Sequence, residues 1–268
     1  ELFGGYSSFW HVPRLLRLSR VLTRVPGSRE GLRWALAALA RDGRSQKLQA
    51  FLRQPPSPEA AYLTAKGLFL DGAHAELLPS DQAMTFDALR YLDGIAGSGH
   101  ESLFNRIARL ELGTYMHNQL LRDADVMSMA HGVEVRLPLL DHKFVEFVGT
   151  IPSATKARGR PKALLIRALG DRLPREIVNR PKGAFAFPLD EWMKGPWREA
   201  IERRLLHDDA PAVCERDAVQ ALWRQFLAGR VRWSRVWALV VLQEWMRRHV
   251  GTAGAVRPPA DVPAAVGV

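Results

Sequence analysis

Apolar positions recur along much of the chain with the period of an α-helix. Between residues 102 and 121 they come at steps that fit one helical face better than a strand, at Leu103, Phe104, Ile107, Leu110, Tyr115, Leu120 and Leu121. Gly113 is expected to weaken this helix mildly. Similar spacing predicts further helices over 32–40, 142–148, 161–169, 189–206, 217–227 and 231–249.

The rest of the pattern contains no strand signal. No run of β-branched residues alternates with polar ones, so no β-sheet is predicted within the chain. Three prolines predict a surface loop over 54–60. Beyond residue 250 the chain is mostly Ala, Gly, Pro and Val without periodicity. We therefore expect a mainly α fold, with one domain over 1–250 and a disordered tail over 251–268.

The segment 120–146 departs from the helical pattern. A helical run ends near residues 128–131, and Glu134, Arg136 and Asp141 then lie between apolar residues around Pro138. A proline in such a segment favours an extended backbone, and charges set among apolar residues are expected to pair with one another or with a ligand. Asp141 is predicted to cap the helix that follows. From the residues alone, the favoured interpretation is a structural charge network.

Composition excludes several classes of protein. The chain is 47% hydrophobic and 25% charged, as in soluble globular proteins. No window approaches the roughly 18 apolar residues of a membrane span, and the N-terminus lacks the features of a signal peptide. The single cysteine, Cys214, excludes an internal disulfide and a cysteine-based zinc site and is consistent with the cytoplasm. The eight histidines are scattered, so no side-chain metal site is expected.

The net charge of +10 raises the alternative of a nucleic-acid-binding protein. However, arginines are distributed along the whole chain and form no block. Solvated helix surfaces and an anionic small-molecule site account for the charge, so nucleic acid is disfavoured as a partner. Nucleic-acid binding would predict a steep salt dependence, and a flat curve at low salt would exclude it.

Several short motifs resemble, in order, those of the glutamine-hydrolysing asparagine synthetase family. The chain opens with Glu-Leu-Phe-Gly-Gly-Tyr (1–6), and Ser-Met-Ala-His (128–131) leads into Glu-Val-Arg-Leu-Pro-Leu-Leu-Asp (134–141). They are followed by Pro-Lys-Ala-Leu-Leu (161–165), Arg-Pro-Lys-Gly (180–183) and a closing helix that contains Trp237 and Trp245. The resemblance covers 1–8 and 110–248, and 9–100 match loosely.

The resemblance implies the helical C-terminal portion of an α/β ATP pyrophosphatase domain (PP-loop, adenine nucleotide alpha hydrolase-like), whose strands lie mostly before Glu1. It implies a carbon–nitrogen ligase of the asparagine synthase (glutamine-hydrolysing) type, converting aspartate to asparagine through an acyl-adenylate with glutamine-derived ammonia. The family's Ser-Gly-Gly-x-Asp-Ser loop and the nucleophilic cysteine of its glutaminase domain do not occur in these 268 residues. ATP and Mg²⁺ are therefore expected to be held through upstream residues, and the chain alone is predicted to be an inactive fragment of a longer polypeptide.

The same resemblance assigns site residues. Lys182 is implied to contact pyrophosphate and the reacting phosphate, and Tyr6 to lie near the substrate and act in acid–base steps. Lys162, Glu1 and Arg136 are implied to face the cofactor. The alternatives are a solvated loop lysine at 182, a packing aromatic at 6 and an exposed helix end at 162. The sequence departs from the family at Ile166, where a basic residue is common, and at 118–119, where many members carry an acidic pair.

Two further functions remain open. One is an amidotransferase acting on a sugar acid or peptide carboxylate, and the other is a non-catalytic helical binding protein. The expected partners are aspartate or a similar carboxylate, glutamine-derived ammonia and the missing N-terminal half, with no membrane. Helices that would cover a sheet leave an apolar face exposed, so self-association is expected, and a homodimer stays among the alternatives.

Overall fold

The computed structural model describes residues 1–39, 43–70, 76–78, 87–97, 101–180, 183, 187–207 and 213–250. Lys182 and the predicted tail 251–268 lie outside the described residues. The chain divides into two compact units. Unit 1 comprises Glu1–Leu39, Lys47–Gly67 and Phe86–Ala184, and unit 2 comprises Ala40–Gln46, Leu68–Thr85 and Phe185–Val268. One domain over 1–250 stays a prediction.

Helices supply the regular structure of the described residues, so the predicted mainly α character is confirmed. The first part of the chain forms α1 (Ser8–Leu22), α2 (Ser28–Leu39), α3 (Gly43–Arg53), α4 (Pro58–Lys66), α5 (Ala88–Ala96), α6 (Leu103–Glu111), a π-helix (Leu112–Leu121) and α7 (Arg122–Met129). These are followed by a 3₁₀ turn (Pro138–Leu140), α8 (His142–Thr150), α9 (Ser153–Ala157), α10 (Ala163–Leu169), a second 3₁₀ turn (Gly170–Arg172) and α11 (Arg175–Asn179). Among the described residues, no helix has the length and apolarity that crossing a membrane requires.

The core of unit 1 lies where α1, α4, α5 and α6 meet the end of α3. Val12, Phe51, Ala60, Ile107 and Leu110 are almost wholly buried there. The predicted loop over 54–60 is wrong in its second half, because Pro58 occupies the first turn of α4. Ser57 caps that helix by accepting a hydrogen bond from the Ala60 amide at 3.0 Å. Proline fits this position because the first-turn amides have no partner within the helix.

The helix predicted over 102–121 continues to Met129 and changes type on the way. Its middle, Leu112–Leu121, is π-helical, which hydrophobic periodicity does not reveal. Thr114 Oγ1 donates to the Leu110 carbonyl at 2.5 Å, and Asn118 Nδ2 donates to the Gly113 carbonyl at 3.4 Å. These side chains satisfy carbonyl oxygens at the start of the widened turn.

The segment after α7 is neither helix nor strand before the 3₁₀ turn, so its extended backbone stays a prediction, and its charges are not buried. Glu134 and Arg136 pair at 2.9 Å with side chains 68% and 83% exposed, so the expectation of pairing holds at the surface. The predicted cap is confirmed, since Asp141 Oδ1 accepts from the Phe144 amide at 3.2 Å at the start of α8. The apolar residues next to these charges, including Val133 and Val135, are also exposed.

Unit 2 contains α12 (Leu189–Lys194), α13 (Arg198–Leu206), α14 (Arg216–Leu227) and α15 (Trp233–His249). The single helix predicted over 189–206 is wrong, because the chain breaks at 195–197 and the Trp197 amide bonds back to the Trp192 carbonyl. Proline at 196 cannot continue the ladder of helix hydrogen bonds. The core of this unit includes Val219, Trp223, Phe226 and Val236.

Candidate functional site

A cavity of about 440 Å³ opens beside the first residues of the chain, within unit 1. Residues 1–3 and Gly5 form one side, the π-helix and α7 a second, the 3₁₀ turn Pro138–Leu140 a third, and α10 with Lys162 the fourth. Glu1 and Lys162 are the charged residues of its lining, which is otherwise mostly leucine. Four motifs that are distant in sequence therefore meet around one space.

Lys162 is held against the N-terminal segment by its backbone and its side chain. Its amide donates to the Phe3 carbonyl at 3.0 Å, and its φ of 60° lies in the left-handed region. Its side-chain stem passes over Gly5, where an added Cβ would stand only 2.7 Å from Lys162 Cε. Glycine at position 5 thus leaves the space that the lysine side chain occupies. Lys162 itself is a non-glycine residue at a left-handed φ. This conformation is strained, and such strain is found frequently at functional sites.

Tyr6 lies next to Glu1 and packs against the π-helix. Its phenol hydrogen-bonds the Glu1 carboxylate, and its ring meets Tyr115 edge-on at 5.8 Å. Burial raises the pKa of Tyr6 well above its ordinary value, and the neighbouring Glu1 carboxylate raises it further. The phenol is therefore a neutral hydrogen-bond donor at physiological pH.

A partly buried ion pair lies next to Tyr6. Glu111, whose side chain is fully buried, pairs with Lys66 at 2.8 Å and accepts a hydrogen bond from the Ser8 hydroxyl. The Lys66 ammonium also lies over the rings of Tyr6 and Tyr115, at 4.8 and 5.0 Å from their centroids. The pair thus connects α4, α6 and the Gly-Gly-Tyr segment, and it fixes the ring of Tyr6.

The structure brings together some of the predicted site residues. Glu1 and Lys162 line the cavity, and Tyr6 bonds to Glu1. Arg136 does not belong to the cavity lining and instead pairs with Glu134 at the surface. Lys182 lies outside the described residues, so its role stays a prediction.

Sequence reasoning missed the Lys66–Glu111 pair. Its signal was present in part, because Glu111 follows Ile107 by four residues and so falls on the buried face of α6. A carboxylate at such a position requires a partner. Nothing in the sequence indicated that Lys66, forty-five residues earlier, would supply it.

The described residues of this cavity carry too few charges to hold a nucleoside triphosphate and its metal ion without help from other residues. The described lining offers one lysine and one carboxylate. Within the described ranges, no group of three His, Cys, Asp or Glu residues is placed to bind a metal ion. Mg²⁺ sites use several oxygen ligands, usually including substrate phosphates. The described residues therefore do not fit ATP and Mg²⁺ as a complete site.

Comparison with known proteins accounts for this combination of motifs. The chain is 26% identical to asparagine synthetase [glutamine-hydrolyzing] 1 of Bacillus subtilis over 91% of its own length and 38% of the relative. It is 27% identical to a putative asparagine synthetase of Mycobacterium tuberculosis over 52% of the chain and 22% of the relative. The human asparagine synthetase is 34% identical over 32% of the chain and 16% of the relative.

The chain thus spans well under half the length of these relatives. No solved structure matches it. The family profile described as asparagine synthase matches residues 1–247, which is nearly the whole chain. The chain belongs to the asparagine synthase family.

Proposed function

We propose that this chain forms the C-terminal part of the synthetase domain of an ATP-dependent amidotransferase. The proposed reaction is the glutamine-dependent conversion of aspartate to asparagine through an acyl-adenylate. The family belongs to the PP-loop ATP pyrophosphatase superfamily, and the chain is its helical portion. The observation that carries the proposal is the bond between the Lys162 amide and the Phe3 carbonyl, because it joins two family motifs at one cavity.

ATP, when bound, would supply the activation of the acceptor carboxylate. Lys162 would attract an anionic group to the cavity, and its backbone bond to Phe3 would hold it next to Glu1. The neutral phenol of Tyr6 would donate a hydrogen bond at the Glu1 carboxylate. Lys182, as a point charge on a long side chain, would follow the charge that develops on a leaving pyrophosphate.

We further propose that another part of a longer polypeptide completes the site. The relatives are more than twice as long as the matched segment. Large apolar side chains are exposed in the cavity wall, at Leu137 and Leu139, and on α7, at Val126 and Met127. Exposed apolar patches are found at binding interfaces. The proposed partner of this surface carries the ATP-binding loop. The cytoplasmic location and the formation of a homodimer stay predictions.

Pyrophosphate release tests the proposal. The purified chain, with ATP, Mg²⁺, aspartate and ammonia, should release none above background. Co-expression with the preceding region of the Bacillus subtilis relative should give aspartate-dependent release. In that complex, Lys182→Ala should lower kcat by about 100-fold or more, since it removes charge stabilisation of a leaving group. Lys143→Ala, at an exposed position of α8, is the matched control and should leave the rate unchanged.

Two outcomes would contradict separate parts of the proposal. Turnover by the chain alone would show that it is catalytically complete. If the two parts copurify and still release no pyrophosphate with any of the carboxylates tested, the proposal of synthetase activity is wrong.

The lining of the cavity favours a second acceptor class, a peptide carboxylate. Aspartate carries a charged side chain and an ammonium group, whereas the wall contains Met116, Leu120, Leu137 and Leu165. Apolar walls recognise apolar groups, and unpaired charges against them are costly. Parallel assays with aspartate, a sugar acid and a dipeptide ending in leucine would separate the classes by kcat/KM.

A further inference from the structure

The ammonium group of Lys66 contacts one carboxylate and two aromatic rings. Its Nζ lies 2.8 and 3.0 Å from the two carboxylate oxygens of Glu111, and 4.8 and 5.0 Å from the ring centroids of Tyr6 and Tyr115. The two rings meet edge-on, with their centroids 5.8 Å apart. A cation within about 6 Å of an aromatic ring is attracted to the face of that ring. Lys66 therefore restricts where both rings can lie.

The carboxylate that holds Lys66 is itself fixed. Glu111 is the last residue of α6, and its fully buried side chain accepts a hydrogen bond from the Ser8 hydroxyl as well as from Lys66. Ser8 is the first residue of α1, two positions after Tyr6, and it is also fully buried. Glu111 is thus tied to the segment of Tyr6 in two ways, through the ring that Lys66 contacts and through the backbone that carries Ser8.

Tyr6 connects this cluster to the cavity. Its phenol hydrogen-bonds the Glu1 carboxylate, and Glu1 lines the cavity together with Lys162. A polar group at a functional site has to be held within about 0.5 Å of its working position by the side chains behind it. Lys66 is not among the described residues of the lining, so its effect on the cavity would pass through Tyr6.

Stability alone does not require charges at positions 66 and 111. Replacing a buried ion pair by apolar side chains of similar volume is often neutral or stabilising, because the two charges no longer have to be desolvated. Apolar side chains would fill the same space but would not attract the faces of two tyrosine rings. The charge of Lys66 is thus suited to orienting these rings.

We infer that Lys66 is a positioning residue of the candidate site, which acts through Tyr6 on the Glu1 carboxylate. The inference rests on the proposed function for the reaction in which Glu1 takes part. Since Lys66 lies behind the cavity wall, its loss should slow the chemical step and leave the binding of ATP almost unchanged. A displacement of about 1 Å at a reacting group costs on the order of 100-fold in rate, so a partial displacement should cost about tenfold.

Nuclear Overhauser effects between tyrosine rings test the positioning step without catalysis. In the chain with selectively labelled tyrosine, the rings of Tyr6 and Tyr115 are close enough to give a cross-peak. Lys66→Met should weaken this cross-peak at least about twofold, whereas Lys66→Arg should retain it because the cation remains over the rings. Lys194→Met, which removes a lysine over a ring in unit 2, is the matched control and should leave the cross-peak unchanged.

Kinetics of the co-expressed complex test the consequence for the reaction. Lys66→Met should lower kcat by about tenfold or more and change the KM for ATP by less than about twofold. Lys66→Arg should recover most of the rate. The double variant Lys66→Met/Glu111→Gln has no unpaired charge, so it should recover stability in urea while its kcat and its ring cross-peak stay low.

The double variant also keeps the inference testable if Lys66→Met fails to fold. Recovery of kcat together with stability in this variant would show a purely structural role for Lys66 and overturn the inference. An unchanged cross-peak between Tyr6 and Tyr115 after loss of the lysine would overturn it as well. An inactive wild-type complex would instead contradict the proposed function, and the cross-peak would still decide whether Lys66 positions Tyr6.

Discussion

At the scale of single residues, the Lys66–Glu111 pair links stability to the candidate site. The carboxylate is fully buried, while the lysine side chain remains 27% exposed. Removing the lysine would leave the buried Glu111 carboxylate without its partner, whereas removing both side-chain charges would leave no unpaired charge. Lys66 also packs against the ring of Tyr6, so loss of the pair is expected to change the position of that ring beside the cavity.

Lys66→Met is expected to lower the free energy of unfolding by about 2–4 kcal/mol, because Glu111 loses its ion pair inside the protein. The partial exposure of Lys66 keeps the effect below that of a wholly buried pair. Urea unfolding measures it. Lys194→Met is the matched control, since Lys194 also has a carboxylate partner and an aromatic neighbour but is exposed, and it should cost less than about 1 kcal/mol. Equal losses in the two variants would contradict the argument.

Cys214 should react slowly with thiol reagents. Burial raises the pKa of its thiol to about 11, so the reactive thiolate is scarce at neutral pH. The folded pKa exceeds that of an unfolded cysteine, so raising the pH from about 9 to about 11 should both speed alkylation and lower stability. Alkylation at about pH 8 should be at least tenfold slower in the folded chain than in urea. A rate equal to that of free cysteine would contradict this.

At the scale of elements, apolar periodicity predicted the type of many helices but not their details. The helices α8, α14 and α15 were predicted because their apolar residues recur at helical spacing. Helix α1 went unpredicted, and its sequence contains an interior proline, Pro13. The π-helix could not be predicted from periodicity, and one of its contacts is with Tyr62, whose hydroxyl hydrogen-bonds Thr114 at 2.8 Å. That contact joins parts of the chain far apart in sequence.

Gly113→Ala should destabilise the π-helix. An added Cβ would stand 2.6 Å from Ile95 Cγ2, so α5 would have to move, at a cost of about 1–3 kcal/mol. Gly94→Ala on α5 is the control, because nothing lies near its added methyl group. It should be neutral or stabilising by up to about 1 kcal/mol. Thermal unfolding compares the two, and a stabilising Gly113→Ala would contradict the packing argument.

At the scale of the whole molecule, the sequence motifs identified the family, and two of the predicted site residues, Glu1 and Lys162, line one cavity. Arg136 was expected at the same site but lies at the surface, paired with Glu134. The apolar side chains of this segment are themselves half exposed, at Val133, Val135, Leu137 and Leu139, so the charges between them reach solvent. Motif order reveals a resemblance but not the exposure of each side chain.

This exposed apolar segment should cause self-association. Replacing Val133 and Val135 of this segment and the exposed Met127 of α7 together with serine should shift the chain towards monomer and lower the binding of an apolar dye, because less apolar surface is exposed. Sedimentation velocity measures the first effect. Val25→Ser, at an equally exposed but separate position, should change neither. A chain that is already a monodisperse monomer would contradict the prediction.

The π-helix between α6 and α7 also has a consequence for insertions and deletions among relatives. A π-helix closes each hydrogen bond over one more residue than an α-helix does. Deleting one residue between 112 and 121 should therefore replace π-helical with α-helical bonding locally and narrow the turn. The cavity wall that carries Met116 and Leu120 would then change, because the narrower turn moves these side chains. Family members that differ in length by one residue here should differ in the shape of this cavity, even where every flanking motif is the same.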